Sequence, residues 1–297
     1  MNCCRLTFIV VALLNASNVC LAAENVFADD KHAPLQVTEA GVQRKGSVTI
    51  KDISFAGANG ESLRAYLVLP EANGRHPALL YSHWLAPEAN SNRTQFLGEA
   101  TTLAENGVVS LLLDMPWAER GWFRKRKLAG DYNLSVNVVK NLHRAIDLLI
   151  SLEGVDSARI GFVGHDFGAS YGAILFGIDP RVHCAVFMAG TPILSDWFLL
   201  ERNLPEPQKR AYIAKLAPLD PIHFVGKSKH SQALFQFGSR DVYISRDKAL
   251  LFAKAASGLK DVRWYEADHA LCEQAKNDRV DWLTEQLGVG KQMSSLP

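Results

Sequence analysis

An α/β fold with a mostly parallel central sheet flanked by helices is predicted by two features of this 297-residue sequence. Continuous apolar runs ("PALLYS", "VVSLLLD", "RIGFVG", "HCAVFMAG", "QALFQFG") have the look of strands buried on both faces. Helical segments fall between them, at Thr94–Asn106, Leu134–Glu153, Ala169–Gly177, Arg246–Ser257 and Glu273–Leu287. Strand alternating with helix implies right-handed crossovers in one sheet.

The elements follow in order. Residues 1–23 have a charged start at Arg5, an apolar run and then polar chain from Glu24, the layout of a secretory signal peptide. An uncleaved anchor is the alternative, disfavoured because Asn15, Ser17 and Asn18 interrupt the run. The expected location is periplasmic or secreted, with no stable membrane insertion after processing. Residues 24–46 read as a polar leader. "SVTIKDISF" and "SLRAYLVLP" alternate apolar and polar residues around Asn59-Gly60, the pattern of an antiparallel hairpin. They open a single domain over 47–290, followed by a tail at 291–297. Within it, residues 191–230 are too long and too rich in Trp, Phe, Leu and Pro for a plain connection, and are expected to form a short helical lid.

Composition is that of a globular chain, 48% hydrophobic and 21% charged, and the net charge of +1 gives no global field to recruit nucleic acid. One basic cluster at 120–127, "RGWFRKRK", is either a solvated loop or the rim of a pocket. No His/Cys cluster has zinc spacing, and neither a metal nor a cofactor is expected. Once a leader is removed, Cys184 and Cys272 remain; Cys184 lies in an apolar run and reads as a small core residue, with pairing the alternative.

The chemistry concentrates in "RIGFVGHDFGASYG". A strand turns into a helix through G-x-D-x-G, the nucleophile-elbow pattern G-x-S-x-G with Asp166 at the serine position. In such folds the chain order is nucleophile, acid, histidine. Asp241 follows the strand "QALFQFG" and His269 follows "VRWYEAD", both at carboxyl ends of strands, where open α/β sheets gather their sites.

From about Val48 to Leu287 the sequence resembles the α/β-hydrolase superfamily. "LRAYLVLPEANGRHPALLYSHW", "AYIAKLAPLDPIHFVGK" and "LFQFGSRD…EADHAL" resemble its dienelactone-hydrolase-like and acyl-peptidase-like branch. The "GHDFG" elbow instead resembles epoxide hydrolases and haloalkane dehalogenases, whose nucleophile is aspartate.

A carboxylate is a poor agent of acyl transfer, because attack on a carbonyl gives a mixed anhydride. At saturated carbon it leaves an ordinary ester, which splits one hard step into two. The expected reaction is therefore opening of an epoxide, or less favourably displacement of a halide, on a small organic substrate. Water activated by His269 and Asp241 would then hydrolyse the ester. The oxyanion of that step would meet the backbone N–H groups of Phe167 and of Trp84 or Leu85. Tyr212 in the lid or His83 is expected to protonate the leaving oxygen, with Tyr81, Tyr132 and Tyr243 as weaker candidates. Trp84, Trp117 and Trp122 are candidate donors to a halide. Two alternatives stand: an ester hydrolase matching the dienelactone-like layout, and a non-catalytic binding protein that has lost its serine.

Overall fold

The computed structural model describes residues 26–28, 32–86, 92–228 and 231–290. The expected signal peptide at 1–23 and the tail at 291–297 lie outside the described residues. The strands are β1 (Thr38–Lys45), β2 (Val48–Ala56), β3 (Ser62–Pro70), β4 (His76–Ser82), β5 (Val109–Leu113), β6 (Val155–His165), β7 (Val182–Met188), β8 (Gln232–Gly238) and β9 (Lys260–Tyr265). They form one sheet in the order β1-β2-β3-β5-β4-β6-β7-β8-β9.

The β1-β2, β2-β3 and β3-β5 ladders are antiparallel, and every ladder from β5 to β9 is parallel. The predicted hairpin is the β2-β3 pair, with Val48 opposite Pro70 and Ala56 opposite Ser62. β1 lies in the stretch read from sequence as a polar leader. All of its side chains are exposed, so no hydrophobic pattern announces it; the backbone ladder to β2 forms it. Before it, Phe27 is buried edge-on against Phe224 at 5.7 Å.

The helices are α1 (Leu97–Glu105), α2 (Trp122–Lys125), α3 (Asp131–Ser151), α4 (Phe167–Ile178), α5 (Leu194–Phe198), α6 (Glu206–Leu216), α7 (Arg246–Ala255) and α8 (Glu273–Gln286). Buried side chains of α3, α4 and α7 share one core layer with Leu80, Phe162 and Phe235 of the sheet. Leu103 of α1 and Trp282 and Leu283 of α8 pack on the other face with Leu79, Val163 and Leu234. This two-sided burial explains why the middle strands are apolar at consecutive positions. No described helix is long and apolar enough to cross a membrane. Cys184 is buried, Cys272 is exposed, and both are free thiols rather than a disulfide.

β4 sits between β5 and β6, so the chain winds outward from β4 to β5 and then crosses back to β6. A crevice opens at the carboxyl ends of the strands where the winding reverses. The loops after β4, β5, β6, β8 and β9 all deliver residues there.

Candidate active site

Asp166 occupies the turn between β6 and α4 with φ 60° and ψ −118°, a strained backbone for a non-glycine residue. The surroundings hold it there. The Asp166 N–H donates to the Met188 carbonyl at 2.9 Å, and its own carbonyl accepts from the Ser170 N–H at 3.1 Å. Gly168 is required by close approach, since a Cβ there would lie 2.2 Å from the Ser82 carbonyl oxygen. The tight turn lifts the Asp166 carboxyl above the sheet at the N-terminus of α4.

The two carboxyl oxygens differ. Oδ2 accepts the Leu85 N–H at 2.9 Å, and the Phe167 N–H also favours the ionised group. Oδ1 is buried with no hydrogen-bond partner among the described residues. Burial raises the Asp166 pKa to about 6, against the lowering pull of the His269 charge and of the two N–H groups. The Leu85 N–H, one of the backbone donors expected to hold an oxyanion, is thus taken by the Asp166 carboxylate.

His269, in the loop between β9 and α8, meets Asp241, in the loop after β8, with 2.8 Å between Nδ1 and Oδ2. Asp241 is 1% exposed in its side chain, and its Oδ1 accepts the Tyr243 and Ile244 N–H groups at 2.8 and 3.1 Å. The aspartate is therefore fixed by its own loop and orients the imidazole. Burial alone would lower the His269 pKa. The Asp241 hydrogen bond and the charges of Asp166, Asp241 and Asp268 outweigh it, so the net movement is upward.

Asp166 and His269 open onto a common cavity of about 790 Å³. Its apolar wall includes Trp84, Trp122, Phe123, Phe167 and Trp197, with Tyr243 at the side of His269. The Tyr243 ring centroid is 5.1 Å from that of His269. Arg120, Arg124 and Arg240 are on the rim.

Three residues expected at the substrate are elsewhere. His83 is 1% exposed; its Nε2 accepts the Met115 N–H at 3.1 Å, which leaves Nδ1 to donate to the Trp84 carbonyl at 2.7 Å. Burial drives its pKa down to about 4. It is a neutral brace between two loops, with no proton to spare for a substrate. Trp117 is buried and donates its indole N–H to the His83 carbonyl at 3.0 Å. Tyr212 donates its hydroxyl to Asp131 at 2.5 Å, behind the cavity wall.

The insertion does cover the strand ends as short helices, but it reaches the cavity through Trp197, Leu200 and Glu201, which the sequence did not single out. The basic cluster divides: Arg124 is on the rim, Lys125 pairs with Glu119 at 2.9 Å, and Arg126 is buried against Asp131 at 2.6 Å.

The model of the FrsA-like esterase family matches residues 31–211. The chain belongs to the FrsA-like esterases. Among curated relatives, this FrsA-like chain is 27% identical over 202 residues to a probable 2-oxo-3-(5-oxofuran-2-ylidene)propanoate lactonase from Bradyrhizobium, covering 67% of this chain and 73% of that one. Its fold is similar to acetyl xylan esterase 1 from Thermoanaerobacterium, with a TM-score of 0.74 at 15% identity over 92% and 93% of the two chains. It is also similar to a putative dienelactone hydrolase from Klebsiella pneumoniae, with a TM-score of 0.60 at 15% identity over 82% and 99%. The fold is that of the α/β-hydrolases, in their dienelactone-hydrolase-like branch, and the protein is a hydrolase of the esterase kind.

Proposed function

We propose that this hydrolase works through Asp166 as a nucleophile at saturated carbon, with an epoxide as the favoured substrate, and that it does so outside the cytoplasm. The observation that carries the reading is the asymmetry of the Asp166 carboxyl. Oδ2 is held by the Leu85 N–H while Oδ1 has no partner among the described residues. A serine esterase needs such an N–H cradle vacant for the substrate's carbonyl oxygen. Here the nucleophile's own oxygen fills it, which suits a reaction whose oxyanion forms on the enzyme.

Oδ1 attacks the less hindered epoxide carbon, a C–O bond forms to Asp166, and the ring C–O bond breaks. The departing oxygen takes a proton from the Tyr243 hydroxyl. His269 then removes a proton from water, its imidazolium stabilised by Asp241, and the water oxygen attacks the ester's carbonyl carbon. The charge gathers on Oδ2, where the Leu85 N–H holds it. Collapse breaks the bond from that carbon to the alkyl oxygen, which takes the proton of the added hydroxyl as the carboxylate re-forms, and a diol is released with the water oxygen left in Asp166. The proton on His269 returns through solvent to the Tyr243 phenolate.

Intact-protein mass spectrometry of His269→Ala after exposure to epoxides, haloalkanes and esters tests this. The expected result is a stable adduct with an epoxide, located on Asp166. Ester turnover by the wild type with no adduct on any probe refutes it.

A second reading is favoured by the likeness to the Bradyrhizobium lactonase. In it Asp166, with its pKa raised to about 6, serves as a general base that delivers water to a lactone carbonyl. Turnover in H₂¹⁸O separates the two: nucleophilic attack loads ¹⁸O into Asp166 over repeated cycles, whereas base catalysis leaves the protein unlabelled.

A further inference from the structure

The residue just before the nucleophile, His165, is fully buried, and its hydrogen bonds belong to a chain that joins the three reacting loops. The Trp84 N–H donates to Gln95 Oε1 at 2.9 Å. Gln95 Nε2 lies 2.6 Å from His165 Nδ1. His165 Nε2 lies 2.9 Å from the His269 carbonyl oxygen.

The chemistry at the two ends fixes every proton between them. A carbonyl only accepts, so His165 carries its proton on Nε2 and presents a lone pair at Nδ1. A backbone N–H only donates, so Gln95 turns its oxygen to Trp84 and its amide N–H to His165. The Trp84 indole stacks on the His165 ring at 5.1 Å and 15° and continues toward His269 at 6.4 Å. Burial, reinforced by the charge of His269, holds the His165 pKa well below its ordinary value, so the single neutral tautomer persists.

Each end of this chain stops one residue or less from a reacting group. Trp84 precedes Leu85, whose N–H holds Asp166; His165 precedes Asp166 itself; and the His269 carbonyl belongs to the base. We propose that Gln95 and His165 are positioning residues which, through this one directed hydrogen-bond chain, set the N–H cradle and the base at a fixed separation across the nucleophile. The inference rests on the reading of His269 as base and Leu85 as cradle. It assigns no contact with substrate to either residue. Its consequence falls on the second half-reaction, in which cradle and base act together on one ester carbonyl.

Two measurements decide it. ¹⁵N imidazole NMR of the wild-type protein, which needs no substrate, should find His165 neutral with its proton on Nε2 at neutral pH. A proton on Nδ1, or an imidazolium near neutrality, overturns the proposal. In Gln95→Ala and His165→Ala, with His269 intact, discharge of the Asp166 ester should slow by roughly a hundredfold. The adduct then accumulates during turnover of the epoxide that labels His269→Ala. His165→Gln, whose amide can both accept and donate, should restore part of the discharge rate.

Wild-type discharge in both alanine variants overturns the proposal, and so does loss of discharge only in step with loss of the folded state. If His269→Ala forms no adduct with any probe, the nucleophilic reading falls and the chain is judged by the NMR result alone.

Discussion

Replacing Asp166 with asparagine should stabilise the protein above neutrality while abolishing its activity. The carboxyl is 4% exposed, and burial lifts its pKa from 3.8 to about 6. Between these values the folded chain holds a proton that the unfolded chain has released, so stability falls as pH rises through the window. The shift corresponds to about 3 kcal/mol, fully lost only above the folded value. Asparagine keeps an oxygen for the Leu85 N–H and carries no charge. Its advantage over the wild type should therefore be near zero below about pH 4 and should approach about 3 kcal/mol at pH 8. With an m-value near 3 kcal/mol per M in urea, the two unfolding midpoints should separate by about 1 M at pH 8 and converge in acid. Urea titrations of both proteins across this range read it directly. A midpoint difference that stays flat with pH, or that favours aspartate at pH 8, would refute the claim that Asp166 is held ionised at a cost to the fold.

Other substitutions probe the site from different sides. Asp166→Ser removes the carboxylate from the N–H cradle and should raise hydrolysis of p-nitrophenyl acetate by roughly a hundredfold over the wild type; equal rates would mean that the cradle was already open to acyl substrates. Tyr243→Phe should slow epoxide opening by roughly a hundredfold while leaving haloalkane turnover unchanged, as followed by diol and halide release. Glu99→Gln breaks the buried pair in which Arg279 Nη2 meets Glu99 Oε2 at 2.5 Å. It should lower the unfolding free energy by about 3–5 kcal/mol, measured in urea, with kcat intact in the protein that remains folded.

The parts of this molecule legible in its sequence are those governed by local pattern. Consecutive apolar residues mark β4 to β8 because both faces of those strands are covered. The elbow is legible because Gly164 and Gly168 serve a backbone approach that a Cβ would block. Asp166, Asp241 and His269 are found by their order and by their places after strands. The sequence hid β1, since "TEAGVQRK" buries no face and only the ladder reveals it. It also hid which aromatic and polar side chains reach the cavity. Trp84 and Trp117 look equivalent in a string of letters, yet one lines the cavity and the other spends its N–H on the His83 carbonyl. Tyr212 was drawn from the lid to Asp131, 81 positions away, and His83 to the Met115 backbone. Such long-range pairings leave no periodic trace. Gln95 and His165 are hidden for the same reason.

The filled cradle bears on how this protein would be met in a living sample. Fluorophosphonate and boronate reagents, by which serine hydrolases are commonly harvested from extracts, require a hydroxyl to modify and an open oxyanion site to hold the adduct. With Asp166 in place of the hydroxyl and its Oδ2 on the Leu85 N–H, the protein should pass through such a harvest unlabelled. Its activity would be assigned to no one in a serine-directed census, and an electrophile that alkylates carboxylates is the reagent that would report it.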